Sequence, residues 1–408
     1  MTLANGILNV LPLLRALRRN RAGPILIGIQ IALTLVIVCN SMFIIQQYLR
    51  HMNSPTGIDE ANIFTLTNAW LVTPNDLEGR IKGDLAAIRA MPGVLDAVAT
   101  LSYPLAGYEV GISISPAPGP RQPHAGVHLY DVDEHGLAAY GLKLVAGRWF
   151  TSTEVLSVPF DERKFPAETV VTAALATRLF RTANALGQVF YFYPDHPCRI
   201  VGIVERAHNA VVSYRDEDSI FLPVLPLNNA LNYVVRTRPG QQASALQSVD
   251  RTLYSLSRQR VIQNVRPYSA TRHRAYTEDR ANAAMLGVVC VLMLSVTAFG
   301  VIGLTAYRVT ERRQHIGMRR ALGARRVDIF KQFQAENLLI ASAGCLVGIV
   351  AGLACNLWLL SKLDGLQRMS LSYICIVAII VIVLCQFAVL WPAFRAAAIP
   401  PAQAIRNL

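Results

Sequence analysis

The chain has 408 residues, of which 53% are hydrophobic and only 16% are charged, and its formal net charge at pH 7 is +13. Soluble domains usually contain about 25% charged residues, so this composition excludes an ordinary soluble protein. A strongly basic chain can bind nucleic acid, but no nucleic-acid-binding motif accompanies the charge here, and we expect no nucleic-acid partner.

Charge is missing from four long stretches of the sequence, residues 22–49, 281–307, 337–361 and 369–394. Each stretch is 25 to 28 residues long, and a helix needs about 20 residues to cross the hydrocarbon core of a membrane. A buried helix of a soluble protein rarely has so long an uncharged run. The first stretch is also too long for a cleaved signal peptide. The sequence therefore predicts four transmembrane helices, the first of them uncleaved.

The positive charge lies outside the long segment between the first two stretches, because residues 50–280 contain 23 Lys and Arg against 22 Asp and Glu. Arginines cluster before the first stretch, between the second and third, and after the fourth. By the positive-inside rule these three regions face the cytoplasm, and four crossings place them on the same side. The predicted order is a cytoplasmic amphipathic segment (1–21), the first helix (22–49), a large external domain (50–280), the second helix (281–307), a cytoplasmic loop (308–336), the third helix (337–361), a short external loop (362–368), the fourth helix (369–394) and a cytoplasmic tail (395–408).

The external segment has the pattern of a mixed α+β domain. Short alternating or apolar runs predict strands at 62–67, 110–115, 126–132, 168–172, 189–193, 199–204 and 231–237. Helical patterns lie between them at 80–90, 172–180 and 241–256. Cys198 is the one cysteine of the segment, so no disulfide can form within it, and its own core must stabilise it. The fold class is therefore membrane α-helical, with this α+β domain inserted between helices 1 and 2.

The sequence offers no energy source of its own. It contains no G-x-x-x-x-G-K-[ST] phosphate loop, and the four uncharged stretches hold no ionisable group of the kind that proton-coupled transporters use. We expect no enzyme activity and no cofactor in this chain, with ATP and Mg bound by a partner subunit.

The third stretch carries Gly344, Gly348 and Gly352, which are spaced four residues apart. Glycines at this spacing share one face of a helix and let another helix approach closely. The sequence therefore predicts a helix-packing face here, although it does not identify the helix that packs against it.

The region between the second and third stretches is the most informative. Residues 311–330 read ERRQHIGMRRALGARRVDIF, with the apolar residues Ile316, Met318 and Leu322 among basic ones. Apolar side chains between charges suit a docking surface. The region closely resembles the ERRxxIGxRRALGA signature of the FtsX-like and MacB-type permease family. The resemblance implies that a cytoplasmic ATPase contacts the segment formed by Glu311, Arg312, Arg313, His315, Ile316, Gly317, Met318, Arg319, Arg320, Ala321, Leu322, Gly323 and Ala324.

Further stretches resemble the same family along nearly the whole chain. Residues 141–150 (GLKLVAGRWF) are similar to an element of the MacB-type periplasmic core, and the ending from Pro392 to Arg406 resembles the family's ending. The resemblance implies a multi-pass bacterial inner-membrane protein with a periplasmic domain. It also implies a cytoplasmic ABC ATPase, a second permease chain (a copy or a paralogue), a periplasmic adaptor with an outer-membrane channel, contact with membrane lipid, and mechanical transmission of ATP-driven motion through the membrane. Because the sequence departs from the MacB pattern in having no fused ATPase domain, we expect the ATPase to be a separate subunit.

The function that the resemblance implies is export of an amphiphile such as a drug or peptide. Two alternatives stay open at the level of sequence: release of lipoproteins from the membrane, and a non-transporting signal transmitter that controls an envelope hydrolase. A metal site is not favoured. The densest group of potential ligands, from His124 to His135, falls on a predicted strand, where residues four apart are separated by about 13 Å.

Overall fold

The computed structural model describes residues 22–108, 110–119, 125–159, 162, 164–182, 184–192, 195–212, 218–362 and 368–398. The chain divides into two compact units. The helical unit is Met1–Met52 with Asp279–Leu408, and the mixed unit is Asn53–Glu278. The predicted amphipathic segment 1–21, most of the predicted loop 362–368 and the end of the tail from residue 399 lie outside the described residues.

The helices of the described residues are α1 (Ala22–Met52), α2 (Leu77–Arg89), α3 (Gly136–Tyr140), α4 (Ala173–Phe180), α5 (Gln242–Leu256), α6 (Tyr268–Ala275), α7 (Thr277–Glu311), α8 (Arg313–Ala321), α9 (Arg326–Lys362) and α10 (Leu371–Ala397). The strands are β1 (Ile63–Trp70), β2 (Val94–Thr100), β3 (Gly111–Ser115), β4 (Ala125–Val132), β5 (Leu144–Gly147), β6 (Leu156–Pro159), β7 (Glu168–Thr172), β8 (Val189–Phe192), β9 (His196–Val204), β10 (Ser219–Leu227), β11 (Ala230–Thr237) and β12 (Arg260–Pro267).

Four of these helices, α1, α7, α9 and α10, are long and apolar enough to cross a membrane. Two of them continue past the uncharged stretches, since α7 runs on to Glu311 and α9 begins at Arg326. The prediction of a loop over 308–336 is therefore wrong in its conformation, because most of that region is helical. The physical reason is that backbone hydrogen bonds and caps decide where a helix ends, whereas the uncharged run marks only its apolar part.

In the helical unit α9 packs through its three spaced glycines, which we call the glycine ladder: Gly344 and Gly348 lie against α1, and Gly352 lies against α10. A Cβ added to Gly344 would lie 2.8 Å from the carbonyl oxygen of Gly28, and one added to Gly348 would lie 3.0 Å from that of Ala32. A Cβ on Gly352 would meet Ile374 of α10 at 2.9 Å. The backbones can approach this far only because no side chain intervenes.

Polar side chains connect the other helices of this unit. Thr34 of α1 and Thr297 of α7 share a hydrogen bond of 2.6 Å between their hydroxyls. The Gln30 amide donates to the carbonyl oxygen of Val296 at 2.9 Å, and the Asn337 amide of α9 donates to that of Cys385 in α10 at 3.1 Å. Such bonds stabilise helix association where no water competes for the polar groups.

The first sheet of the mixed unit has four antiparallel strands in the order β12-β1-β11-β2. Helices α2 and α5 bury their apolar side chains against it. Leu85 from α2 and Val249 from α5 share a core with Phe64 from β1. Asp76 caps the start of α2 by accepting a hydrogen bond from the backbone N–H of Gly79 at 2.9 Å.

The second sheet has eight strands, and six of them form a closed ring. The strand order is β4-β3-β8-β9-β7-β10-β6. Because β4 also pairs with β10 in parallel, the six strands from β4 to β10 in this order form a ring. Closure gives a small barrel with partners on both sides of each of those six strands. Its core includes Val127, Phe190, Cys198 and Ile220.

All seven runs predicted as strands are strands in the structure, and the three helical patterns are helices. The pattern did not predict β10, which is central to the second sheet. Its sequence, SIFLPVLPL, is buried at nearly every position and contains two prolines, so it shows neither alternation nor the composition of a central strand.

Replacing a glycine of the ladder by alanine should distinguish the effect of close helix packing on stability from the effect of helix propensity. Gly344→Ala should lower the free energy of unfolding by about 1–3 kcal/mol, because the new methyl group meets the backbone of α1. The matched control is Gly303→Ala on α7, where nothing lies within 4 Å of the added Cβ. That variant should be neutral or more stable by up to ~1 kcal/mol. Thermal unfolding of the full chain in detergent measures both, and equal shifts would contradict close packing at Gly344.

Candidate functional site

The basic region between α7 and α9 folds as a short helix, α8, with defined ends. The glycine after it, Gly323, has φ of +100°, and the N–H of Ala324 bonds to the carbonyl oxygen of Arg319 at 3.0 Å. This is the Schellman arrangement, in which glycine adopts the left-handed conformation that ends a helix. The next helix starts at once, since the Asp328 carboxylate accepts a bond from the N–H of Arg325 at 3.1 Å.

The three apolar residues of this region do not act together. Ile316 is 7% exposed and belongs to the core of the helical unit. Met318 is 53% exposed and Leu322 is 89% exposed, more than any other large apolar side chain of the described residues. The interpretation of all three as docking anchors is therefore wrong for Ile316. A side chain that packs into the core is not available to a partner. Met318 and Leu322, four positions apart, lie together on the accessible side.

Arg312, at the junction of α7 and α8, holds a buried carboxylate. Its Nη1 atom donates to both oxygens of Glu336 in α9, at 3.1 and 3.2 Å. The side chain of Glu336 is 3% exposed and that of Arg312 is 31% exposed. The amide of Gln332 also donates to Glu336 at 3.1 Å, and its oxygen accepts a bond of 2.5 Å from Arg319. These bonds attach both ends of α8 to α9.

The remaining residues of the predicted segment are mostly exposed. Glu311, Arg313, Ala321 and Gly323 are exposed, Ala324 is half-buried and Gly317 is buried. His315 and Arg320 lie within α8, and nothing further is described for their side chains. The structure thus separates the segment into an outer surface, formed by Arg313, Met318, Arg319 and Leu322, and an inner side at Arg312, Ile316 and Gly317.

Sequence reasoning missed Gln332 and Glu336 as parts of this site. Both lie in the first turns of α9, four residues apart, and so share one side of that helix. The available signal was the position of Glu336 directly before an uncharged run, since an acidic residue beside a membrane-spanning stretch needs a partner.

This arrangement has the features of a binding surface. The exposed pair Met318 and Leu322 offers apolar area, the neighbouring arginines offer positive charge, and the bonds to Glu336 fix the helix in place. Apolar side chains that become buried on binding, with arginines nearby, are typical of the energetically important parts of protein interfaces.

Two family models match the chain. The MacB-like periplasmic core domain matches residues 25–251, and the FtsX-like permease C-terminal model matches residues 287–401. The second match contains α8 and the glycine ladder.

Curated relatives show the same similarity. The macrolide export ATP-binding/permease protein MacB of Chlorobium luteolum is 26% identical over 275 residues, which are 64% of this chain and 40% of the relative. The pyoverdine export ATP-binding/permease protein PvdT of Pseudomonas syringae is 26% identical over 243 residues, 56% of this chain and 35% of the relative. The chain thus spans well under half the length of these relatives. The periplasmic region of MacB from Actinobacillus actinomycetemcomitans matches 56% of this chain and 98% of that structure, with 16% identity and a TM-score of 0.33.

Four apolar helices of membrane-spanning length and a MacB-like core domain define a membrane protein with a large periplasmic domain. Since the core-domain model alone matches more than half of the 408 residues, the chain belongs to the MacB-type family of FtsX-like permeases.

The Arg312–Glu336 pair should respond asymmetrically to substitution. Arg312→Gln removes the ion-pair partner of a buried carboxylate and should lower the free energy of unfolding by about 2–4 kcal/mol, with Gln332 as the remaining hydrogen-bond donor. Glu336→Gln leaves Arg312 partly in water, so its cost should be smaller, and the double variant should be close to Glu336→Gln alone. Chemical unfolding of the full chain in detergent measures the cycle. Glu311→Gln, at an exposed carboxylate, is the control, and equal effects of the two single variants would contradict the burial argument.

Proposed function

We propose that this chain is the permease subunit of an ATP-driven ABC-type export system, in which a separate ATPase docks on α8. The proposed cargo is an amphiphile, such as a drug or peptide, taken from the periplasm or the outer part of the membrane. The observation that carries the proposal is the outer surface, where Leu322, directly after α8, is 89% exposed and Met318, Arg313 and Arg319 are exposed as well.

The surface itself indicates the chemistry of its partner. Leu322 and Met318 require an apolar pocket to leave water, and Arg313 and Arg319 lie on either side of Met318 in the sequence. We therefore expect a groove on the ATPase with an apolar floor and acidic residues on its rim. In that complex ATP and Mg are bound by the partner, which supplies the energy that this chain has no motif to obtain.

The packing of the helical unit supports transmission of movement from α8. Arg312 joins α8 to α9 through Glu336, and α9 packs against α1 with its backbone close to that of Gly28. Tightly packed elements move together rather than deforming, because each displacement would open voids or break bonds. A push on α8 would thus displace several helices. The mechanical coupling of ATP hydrolysis to the periplasmic domain belongs to the proposal.

The assembly that we propose has further members. A second permease chain, either a copy or a paralogue, would pair with this one so that each ATPase of a dimer meets its own α8. The two termini would lie in the cytoplasm with the mixed unit in the periplasm, inserted between the first and second membrane helices, in agreement with the arginine distribution. An adaptor and an outer-membrane channel would carry the cargo onward.

Leu322→Asp tests the docking surface directly. Placing a carboxylate in an apolar pocket should weaken association with the ATPase by about 30-fold, corresponding to about 2 kcal/mol. The chain, co-expressed with candidate ABC ATPases from its own genome, is purified and assayed for the bound ATPase and for ATP hydrolysis. Met318→Asp should act in the same direction.

Leu71→Asp is the matched control, because Leu71 is 65% exposed in the mixed unit and should tolerate the same change without effect. Normal ATPase binding by both α8 variants would contradict docking at this surface. Failure of any ATPase to associate with the wild-type chain would contradict the ABC proposal as a whole.

A further inference from the structure

The barrel of the mixed unit has an apolar cleft at one end of its interior. The cleft has a volume of about 90 Å³ and is lined by side chains from β3, β4, β6 and β10, among them Ile112, Leu129, Val158, Leu222 and Val224. This is several times the roughly 10–15 Å³ that a single water molecule requires, so the cleft has room for a small organic group. The mouths of β-barrels are common places for small-molecule sites.

One ionisable group lies among these apolar side chains. Val127, Leu129 and Asp131 occupy alternate positions of β4, so Asp131 continues the row that forms the barrel core. Asp131 is 7% exposed, it lines the cleft, and its partner across the pairing with β10 is Leu222. None of the described residues donates a hydrogen bond to its carboxylate. Buried carboxylates are normally paired, so an unpaired one facing a cavity needs an explanation.

The neighbouring polar groups do not neutralise Asp131. Burial, and to a smaller extent the nearby Asp131 charge, raises the pKa of Tyr108, whose hydroxyl donates to the carbonyl oxygen of Leu101 and not to Asp131. Tyr140 has its pKa raised, first by its own burial and to a lesser degree by Asp131 and other neighbours. Lys164, which also lines the cleft, is paired with Glu162 at 3.1 Å, and both are well exposed.

We propose that this cleft binds the ammonium end of a cationic amphiphile, with Asp131 as the counter-ion and the apolar wall covering the adjoining alkyl or aryl group. An ammonium group supplies the charge and the N–H donors that Asp131 lacks, whereas the apolar wall offers a strongly hydrated ion nothing to replace its water. The proposal that a cation binds in the cleft rests on these contacts alone. The further statement that the occupant is transported cargo rests on the proposed function.

The ionisation of Asp131 makes this binding dependent on pH. Burial raises the pKa of Asp131 to about 7 from a usual value near 4. Its anionic form is therefore the minority below pH 7 and the majority above it. Because a cation selects the anionic form, its apparent affinity should rise about tenfold between pH 6 and pH 8. A neutral ligand of the same shape should show no such rise.

The probe is 2-phenylethylammonium, which has an ammonium group on a short aromatic stem, and the comparison ligand is the uncharged 2-phenylethanol. Ligand-observed NMR titration with the full-length chain in a neutral detergent measures both affinities at pH 6 and pH 8. We expect the ammonium probe to bind about 10- to 100-fold more tightly than the alcohol at pH 8. Asp131→Asn, which keeps the shape and removes the charge, should abolish that difference. Glu162→Gln, at the exposed carboxylate that lines the same cleft, should retain it.

Equal affinity for the two ligands in the wild-type chain would overturn the proposal, as would unchanged ammonium binding in a folded Asp131→Asn variant. If that variant does not fold, the pH dependence of the wild type and the comparison of the two ligands still decide the matter. Leu322→Asp should bind the probe as the wild type does. Failure of ATPase docking would therefore leave the cleft intact, and failure of the cleft would leave docking untouched.

Discussion

Glu336 is almost wholly buried near the start of α9, and this burial is tolerated because Arg312 and Gln332 both donate hydrogen bonds to its carboxylate. Polar groups removed from water must find partners inside the protein, since an unmatched buried charge costs several kcal/mol. The position of α8 depends on this one group, and so does the division of the basic segment into an inner and an outer side. The same requirement explains the hydrogen bonds that join α1 to α7 and α9 to α10.

In the mixed unit the backbone polar groups of the second sheet find their partners because six strands close into a ring. Six strands pair on both sides, which satisfies their backbone groups and encloses an apolar core without any disulfide at Cys198. Asp131 is then the exception, because it lies in the interior row without a donor among the described residues. Exceptions of this kind mark functional positions more often than ordinary core residues do. This is why we assign the cleft a ligand rather than treat Asp131 as part of the packing.

Much of the fold could be predicted from the sequence, and the errors have physical causes. Hydropathy indicated four long helices, but it placed the start of the third at Asn337 rather than Arg326, because charged end turns remain helical when they are capped and paired. The alternating strands were predictable, whereas β10 was not, since a strand buried on both faces loses its alternation. For the candidate site the segment was predictable from its resemblance to a family, but the roles within it were not. Ile316 and Leu322 are both apolar residues in a basic region, and only the structure shows that Ile316 is buried in the core while Leu322, directly after α8, is exposed.

The sequence by itself determined the number of long apolar helices, the near-neutral mixed unit between the first two, the family, and the existence of a glycine face on α9. These properties are local, because they depend on runs and spacings of residues along the chain. The tertiary structure decided which helices meet that glycine face, which apolar residues of the basic segment stay accessible, which carboxylate Arg312 binds, and that Asp131 lies in an apolar cleft. Each of these depends on residues distant in sequence that packing brings together, and no local pattern encodes such a pairing.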